Sequence, residues 1–117
     1  MAVYTFDFDG TLNRHPERFA PLVTAITASG HRAAVVTSRE SDRGIAEYLE
    51  AHRFPKMEIH AREQSIWPGP IWKARKVESL GASMHFDNDS TVRPAGIPVM
   101  LVSSGDSPYG KVASRKV

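Results

Sequence analysis

The 117-residue chain carries 41% hydrophobic and 24% charged residues, the balance of an ordinary globular protein of one domain. It has no cysteine, which excludes disulfides, Cys-zinc sites and thiol nucleophiles. The net charge of +2 rests on residues 111–117, KVASRKV, where Lys111, Arg115 and Lys116 stand without an acid; leaving them out, the 15 basic residues fall to 12 against 13 acidic ones.

This basic tail reads as a flexible, solvated end rather than a nucleic-acid grip, and residues 1–110 are expected to form the functional domain. The first apolar stretch is interrupted by Asp7 and Asp9 and lacks the basic flank of a secretory signal. Nowhere do about 18 apolar residues run together. The expectation is a soluble, cytoplasmic protein with no membrane partner.

Val3 to Phe8 predicts a buried strand, and Phe19, Leu22, Val23 and Ile26 then recur at helical spacing up to the stop Ser29-Gly30. Ala33 to Thr37 predicts a second strand. Ser41 can cap a helix whose buried stripe would be Ile45, Tyr48, Leu49 and His52. Met57 to Ala61 predicts a third strand, and after Trp67-Pro68-Gly69-Pro70 a helix is expected over residues 71–80, stopped by Gly81. Ser83 to Phe86 and Pro98 to Val102 follow as strands four and five. Apolar strands separated by helical patterns predict an α/β fold, its parallel sheet covered by helices on both faces.

Ligands of open α/β sheets bind beyond the carboxyl ends of the strands. Asp7 and Asp9 end the first strand, Thr37-Ser38-Arg39 the second and Asp87-Asn88-Asp89 the fourth, while Lys73 opens the helix after the third. Side chains two apart on an extended segment point the same way, so Asp7 and Asp9 are expected to reach one site while Phe6 and Phe8 face the opposite layer. Carboxylates held close repel unless a cation lies between them, and three of them without sulfur suit Mg²⁺. Lys73 can keep a carboxylate ionised or grip a phosphoryl oxygen. Thr37 offers a hydroxyl, and the backbone N–H groups around Gly10 can approach an anion. These residue types suit phosphoryl transfer, with an Asp as nucleophile and a second carboxylate moving protons.

In this order and spacing the residues resemble the haloacid dehalogenase superfamily of phosphohydrolases. Asp7-Phe8-Asp9-Gly10-Thr11 matches its first motif and Val35-Val36-Thr37 its second; Lys73, 14 residues before Asp87, matches the third, and His85-Phe86-Asp87-Asn88-Asp89 matches the fourth in part. The likeness spans residues 3–103. It implies a Rossmann-like three-layer sandwich with a five-stranded parallel sheet. It also implies that Asp7 forms an aspartyl phosphate and that Asp9 is the general acid and base. Gly10, Thr37, Ser38 and Lys73 would bind the transferred phosphoryl group, while Asp7, the Asp9 backbone carbonyl and Asp87 would hold Mg²⁺. Many members have two adjacent Asp in the fourth motif, where this chain has Asn88 and then Asp89. An amide at position 88 can still accept from a bound water or orient Lys73, and whether Asp89 replaces the missing carboxylate stays open.

Substrate choice in this family usually comes from an inserted cap domain. Only Leu12 to Arg18 fill the first insertion point here, and the 35 residues between Thr37 and Lys73 are used by one helix, one strand and one loop, so no cap domain is expected. An open site of this kind implies either a macromolecular end as substrate or closure by a second subunit in a homo-oligomer. Thr37-Ser38-Arg39-Glu40-Ser41 and Ala61-Arg62-Glu63-Gln64 are similar to segments of the phosphatase module of bacteriophage polynucleotide kinase-phosphatases. The phosphate-binding loop of a kinase half is missing from the sequence. Arg14, Arg39 and Arg62 can pair with a substrate phosphate and Trp67 can stack on a base, though each also suits a solvated or packing role. The resulting expectation is an Mg²⁺-dependent phosphomonoester hydrolase acting on a nucleotide or a nucleic-acid 3′-phosphate end. Its alternatives are a metabolite phosphatase closed by a second subunit, a phosphotransferase, and a non-catalytic module that binds Mg²⁺ or phosphate.

Overall fold

A computed structural model describes residues 1–63 and 65–103. Strands β1 (Val3–Phe6), β2 (Arg32–Thr37), β3 (Glu58–Ala61), β4 (Met84–Asp87) and β5 (Val99–Leu101) form one sheet in the order β3-β2-β1-β4-β5, with every neighbouring pair parallel. Helices α1 (Pro16–Ala28), α2 (Ile45–Ala51) and α3 (Gly69–Ser79) lie in the connections. The architecture is the α/β fold with a parallel sheet expected from the alternation of patterns, and its five strands form the Rossmann-like sheet that the resemblance implies. No helix among the described residues is long and apolar enough to cross a membrane. The basic stretch 111–117 lies outside the described residues, as does the end of the expected domain.

Strand β2 reads Arg-Ala-Ala-Val-Val-Thr and is buried from Ala33 onward, as a central strand covered on both faces must be. Its alternate residues serve two layers. Ala33 and Val35, with Phe6, pack against Phe19, Ala20 and Val23 of α1 and against Ile45 and Leu49 of α2. Val36 faces the other way, onto Val77 of α3 and Ala82. Phe6 stacks on Phe86 at 4.6 Å and meets Phe19 edge-on at 5.9 Å, which locks β1, β4 and α1 together. Full burial of one such ring contributes about 1.5–3 kcal/mol.

Some expectations give way where the chain leaves regular structure. Strand β1 stops at Phe6, not Phe8, and the chain then turns back so that Leu12 N–H donates to Asp7 O at 3.4 Å and Asn13 N–H to Phe8 O at 3.1 Å. Asp9 therefore reaches the sheet edge from a turn rather than by strand alternation. Gly10 sits in that turn with φ 84°, a conformation strained for other residues, and a Cβ there would fall 2.3 Å from the Asn88 side chain and have to push its amide aside. Leu22 is exposed, turned off the buried stripe of α1. Ser41 does not cap α2: its Oγ accepts from Arg43 N–H, and Gly44 holds the N-cap position with a positive φ. His52 lies just past the end of α2 and is exposed, stacked on the ring of Tyr48 at 3.9 Å.

Candidate active site

At the carboxyl edge of the sheet lies an open cleft of about 420 Å³ lined by Asp7, Asp9, Ser38, Lys73, Asn88, Asp89 and Ser90. It opens where β1 has β2 on one side and β4 on the other, the point at which successive connections leave in opposite directions. A larger hollow of about 590 Å³ beside β3 is lined by Leu49, Phe54, Met57 and Ile59 among others, but its charged residues Asp42, Glu50 and Lys56 are all exposed. Of these two, the smaller cleft is the one that joins open space to buried ionisable groups.

Those groups form a chain. Lys73, on the second turn of α3, is buried and donates to Asp7 Oδ1 at 2.6 Å and to Asp87 Oδ2 at 3.2 Å. Asp7 Oδ2 accepts from the Thr11 hydroxyl at 3.2 Å. Asp87 Oδ2 also faces His85 Nε2 at 2.7 Å, and Asp87 Oδ1 accepts from Asp89 N–H at 3.0 Å. Burial pushes the Asp7 carboxyl up to about 6 despite the pull of the Lys73 ammonium, with the Asp87 charge adding to the rise. Burial also works against charge on Asp87, but the His85 hydrogen bond, the Lys73 charge and the Asp89 N–H outweigh it and hold Asp87 below the usual carboxylate range. Desolvation opposes the Lys73 charge too, yet the two carboxylates hold the ammonium above the ordinary lysine value. The environments thus separate the carboxyls: Asp87 is the more firmly ionised and Asp7 the more readily protonated.

The other residues expected at the site fall on either side of this core. Asp9 is half-exposed and pairs in a two-pronged way with Arg39, at 2.8 Å to Nε and 2.7 Å to Nη2. The guanidinium lies over the Phe8 ring at 5.1 Å. Thr37 is buried at the end of β2, where its Oγ1 accepts from Arg39 N–H at 3.2 Å. Ser38 lines the cleft, and Gly69 packs closely against its Cβ. Asp89 lines the cleft while its Oδ1 accepts from Thr91 N–H and hydroxyl at 2.9 and 2.6 Å, which fixes the loop after β4.

Asp87, expected to be a third metal ligand, does not line the cleft; both its oxygens face Lys73, His85 and backbone. Among the described residues no group of three His, Cys, Asp or Glu side chains is disposed to hold a metal ion. Asn88 lines the cleft instead. One terminal atom of its amide lies 2.9 Å from Asp7 Oδ2 and 3.1 Å from the Asp9 carbonyl oxygen. That atom is the amide nitrogen, which donates to both; turned over, the amide presents its oxygen to the same place.

Arg62 is taken up by structure: Nε donates to Ser38 O at 3.3 Å, and Nη1 donates to Ser65 O at 3.2 Å and to Trp67 O at 3.1 Å. It therefore ties the loop after β2 to the loop before α3. Trp67 is half-exposed with Arg75 over one face of its ring at 5.1 Å, and Arg14 is exposed beyond the turn. Neither lines the cleft; Arg39 is the candidate for substrate recognition seen against a site carboxylate. The sequence motifs contain His85 and Thr11 without giving either a role. Period-2 alternation places His85 on the same face of β4 as Asp87, a signal that could have found it.

Comparison with protein-family models, with curated proteins and with solved structures yields no significant match.

Proposed function

We propose that the cleft hydrolyses phosphomonoesters through a phosphorylated Asp7. The observation that carries this reading is a buried carboxylate at the floor of an open cleft, held by Lys73 at 2.6 Å beside a second, more acidic carboxylate. A binding module has no use for a carboxylate desolvated to that degree, whereas a nucleophile gains by losing its water. In the first step an Asp7 oxygen attacks phosphorus and the ester oxygen leaves with a proton from Asp9. In the second, Asp9 takes a proton from water, the water oxygen attacks phosphorus, and Asp7 departs as carboxylate. An incoming phosphate competes with Asp9 for the Arg39 guanidinium, which frees the Asp9 carboxyl to turn toward the ester oxygen. Lys73 spreads its charge over Asp7 and the transferred group, and Thr37 and Ser38 border the same edge of the sheet.

The oxygen donors suit Mg²⁺. A carboxylate of Asp7, the carbonyl of Asp9 and the amide of Asn88 meet at one place in the cleft, and oxygens of these types are what Mg²⁺ takes. Asp7, the Asp9 carbonyl and Asn88 would hold the ion, with Asp87 fixing the loop that carries Asn88. When bound, Mg²⁺ neutralises charge on the phosphoryl oxygens.

The test is phosphate release with added Mg²⁺ from p-nitrophenyl phosphate, a sugar phosphate, a nucleotide and a 3′-phosphorylated oligonucleotide, for the wild type and Asp7→Asn. Hydrolysis of at least one ester is expected, lower by about 10³-fold or more in the variant. A preference for the oligonucleotide that weakens as salt rises would identify a nucleic-acid end as the substrate class. Binding of Mg²⁺ and phosphate with no turnover of any ester would support the non-catalytic reading instead.

A further inference from the structure

His85 is wholly buried, as is Thr5, its partner in the register of β1 and β4. Its Nδ1 lies 2.8 Å from Thr5 Oγ1 and its Nε2 2.7 Å from Asp87 Oδ2. The alternative acceptor for the Thr5 hydroxyl, Met84 O, is at 3.5 Å, too far for a good hydrogen bond. The hydroxyl therefore donates to Nδ1, and the ring in its neutral form carries its proton on Nε2 and donates it to Asp87. Packing alone does not ask for an imidazole here: Val3, Val36 and Val77 fill the surrounding layer with apolar groups. A buried ring with two polar atoms is costly unless both are partnered, and here both are.

We propose that His85 is a positioning residue for the reaction at Asp7. It holds the Asp87 carboxylate by one oxygen. That carboxylate in turn sets two things: Lys73 Nζ accepted on the same oxygen at 3.2 Å, and Asp89 N–H on the other at 3.0 Å. Lys73 meets Asp7 Oδ1, and the loop through Asp89 carries Asn88 against Asp7 Oδ2. Both oxygens of the nucleophile are thus placed through Asp87, and the orientation of Asp87 is fixed through His85 by the Thr5 hydroxyl. The inference rests on the phosphatase reading and adds to it a residue that touches neither substrate nor metal.

The experiment compares wild type, His85→Leu, His85→Gln and Thr5→Val in hydrolysis of p-nitrophenyl phosphate with Mg²⁺, alongside melting curves and ¹⁵N spectra of histidine-labelled protein. Leucine fills similar volume but donates nothing; glutamine can return an N–H toward Asp87. His85→Leu is expected to melt cooperatively and to lose about 10- to 100-fold in kcat with little change in KM, the size of loss seen when partners behind a site are removed. His85→Gln should recover most of kcat. Thr5→Val, nearly isosteric, should lower kcat several-fold, which tests the proposal even if His85→Leu fails to fold. The wild-type spectrum should show the Nε2–H tautomer for the resonance missing from His85→Leu. A wild type that hydrolyses the ester while His85→Leu or Thr5→Val retains its kcat overturns the positioning role alone, as does an Nδ1–H tautomer. A wild type without Mg²⁺-dependent hydrolysis overturns the phosphatase reading and this role with it.

Discussion

Lys73 Nζ stands 2.6 Å from Asp7 Oδ1, with each side chain about 5% exposed. The same ammonium reaches Asp87 Oδ2 at 3.2 Å, so one cation separates two buried carboxylates that would otherwise face each other. Removing the cation leaves like charges out of water. Lys73→Met should therefore cost about 3–5 kcal/mol in a urea titration at pH 7. A variant as stable as the wild type would show that Lys73 is not what holds these carboxylates together.

Asp7 should make stability depend on pH in a defined direction. Its folded pKa is near 6 against 3.8 for an ordinary aspartate, the rise caused first by burial. Between these values the native state binds a proton that the unfolded chain has lost. Stability from this group is fully present below pH 3.8 and is lost as pH rises through 6. Asp87, with its lowered pKa, acts below that window. Without divalent cations Asp7→Asn should thus be more stable than wild type at pH 7, on the order of 2 kcal/mol, and should lose the downward slope between pH 4 and 6. Melting curves across that range provide the check, and a less stable variant at pH 7 contradicts the assignment.

Asn88 and Gly10 lie against one another, and substitutions at the two should move Mg²⁺ affinity in opposite directions. Asn88→Asp adds a charge beside Asp7 Oδ2, so the metal-free protein should lose stability while Mg²⁺ binding tightens. Isothermal titration with Mg²⁺ reads the second effect. Gly10→Ala combines a left-handed backbone, costing about 1–2 kcal/mol, with a Cβ pressed into the Asn88 amide, and should lose both stability and Mg²⁺ affinity. Unchanged Mg²⁺ affinity in both variants would remove Asn88 from the site.

Arg39 and Arg62 read alike in the sequence but should separate in experiment. Arg62 bonds three backbone carbonyls, and Arg62→Ala should cost about 1–2 kcal/mol of stability. Arg39 forms a half-exposed ion pair with Asp9, and Arg39→Ala should change stability by under about 1 kcal/mol. Its effect should appear instead as a raised KM for phosphate esters. Equal losses of stability in the two variants would contradict this division.

What was legible in the sequence follows from what kind of signal each feature carries. The strands and the rim positions of Asp7, Thr37, Lys73 and Asp87 follow from apolar periodicity and strand ends, which depend on local sequence alone. The path of Asp9 was not legible, because a turn over Phe8–Leu12 replaces the strand there. Side-chain partners lie further from local pattern. Arg62 is committed to carbonyls from two loops, and Asp87 turns inward to His85 rather than outward to the cleft, choices made by tertiary hydrogen bonding that no spacing records. Lys73 is singled out in the sequence by its distance from Asp87, and in the fold it is a buried residue of α3.

The central claim is that Asp7 carries the phosphoryl group, and an acid-quenched single turnover tests it most directly. Wild-type protein in excess over a ³²P-labelled phosphomonoester, with Mg²⁺, should be caught with acid-stable, base-labile label on the peptide containing Asp7, and Asp7→Asn should carry none. Turnover of the ester with no label on protein, or label retained in Asp7→Asn, would contradict the account.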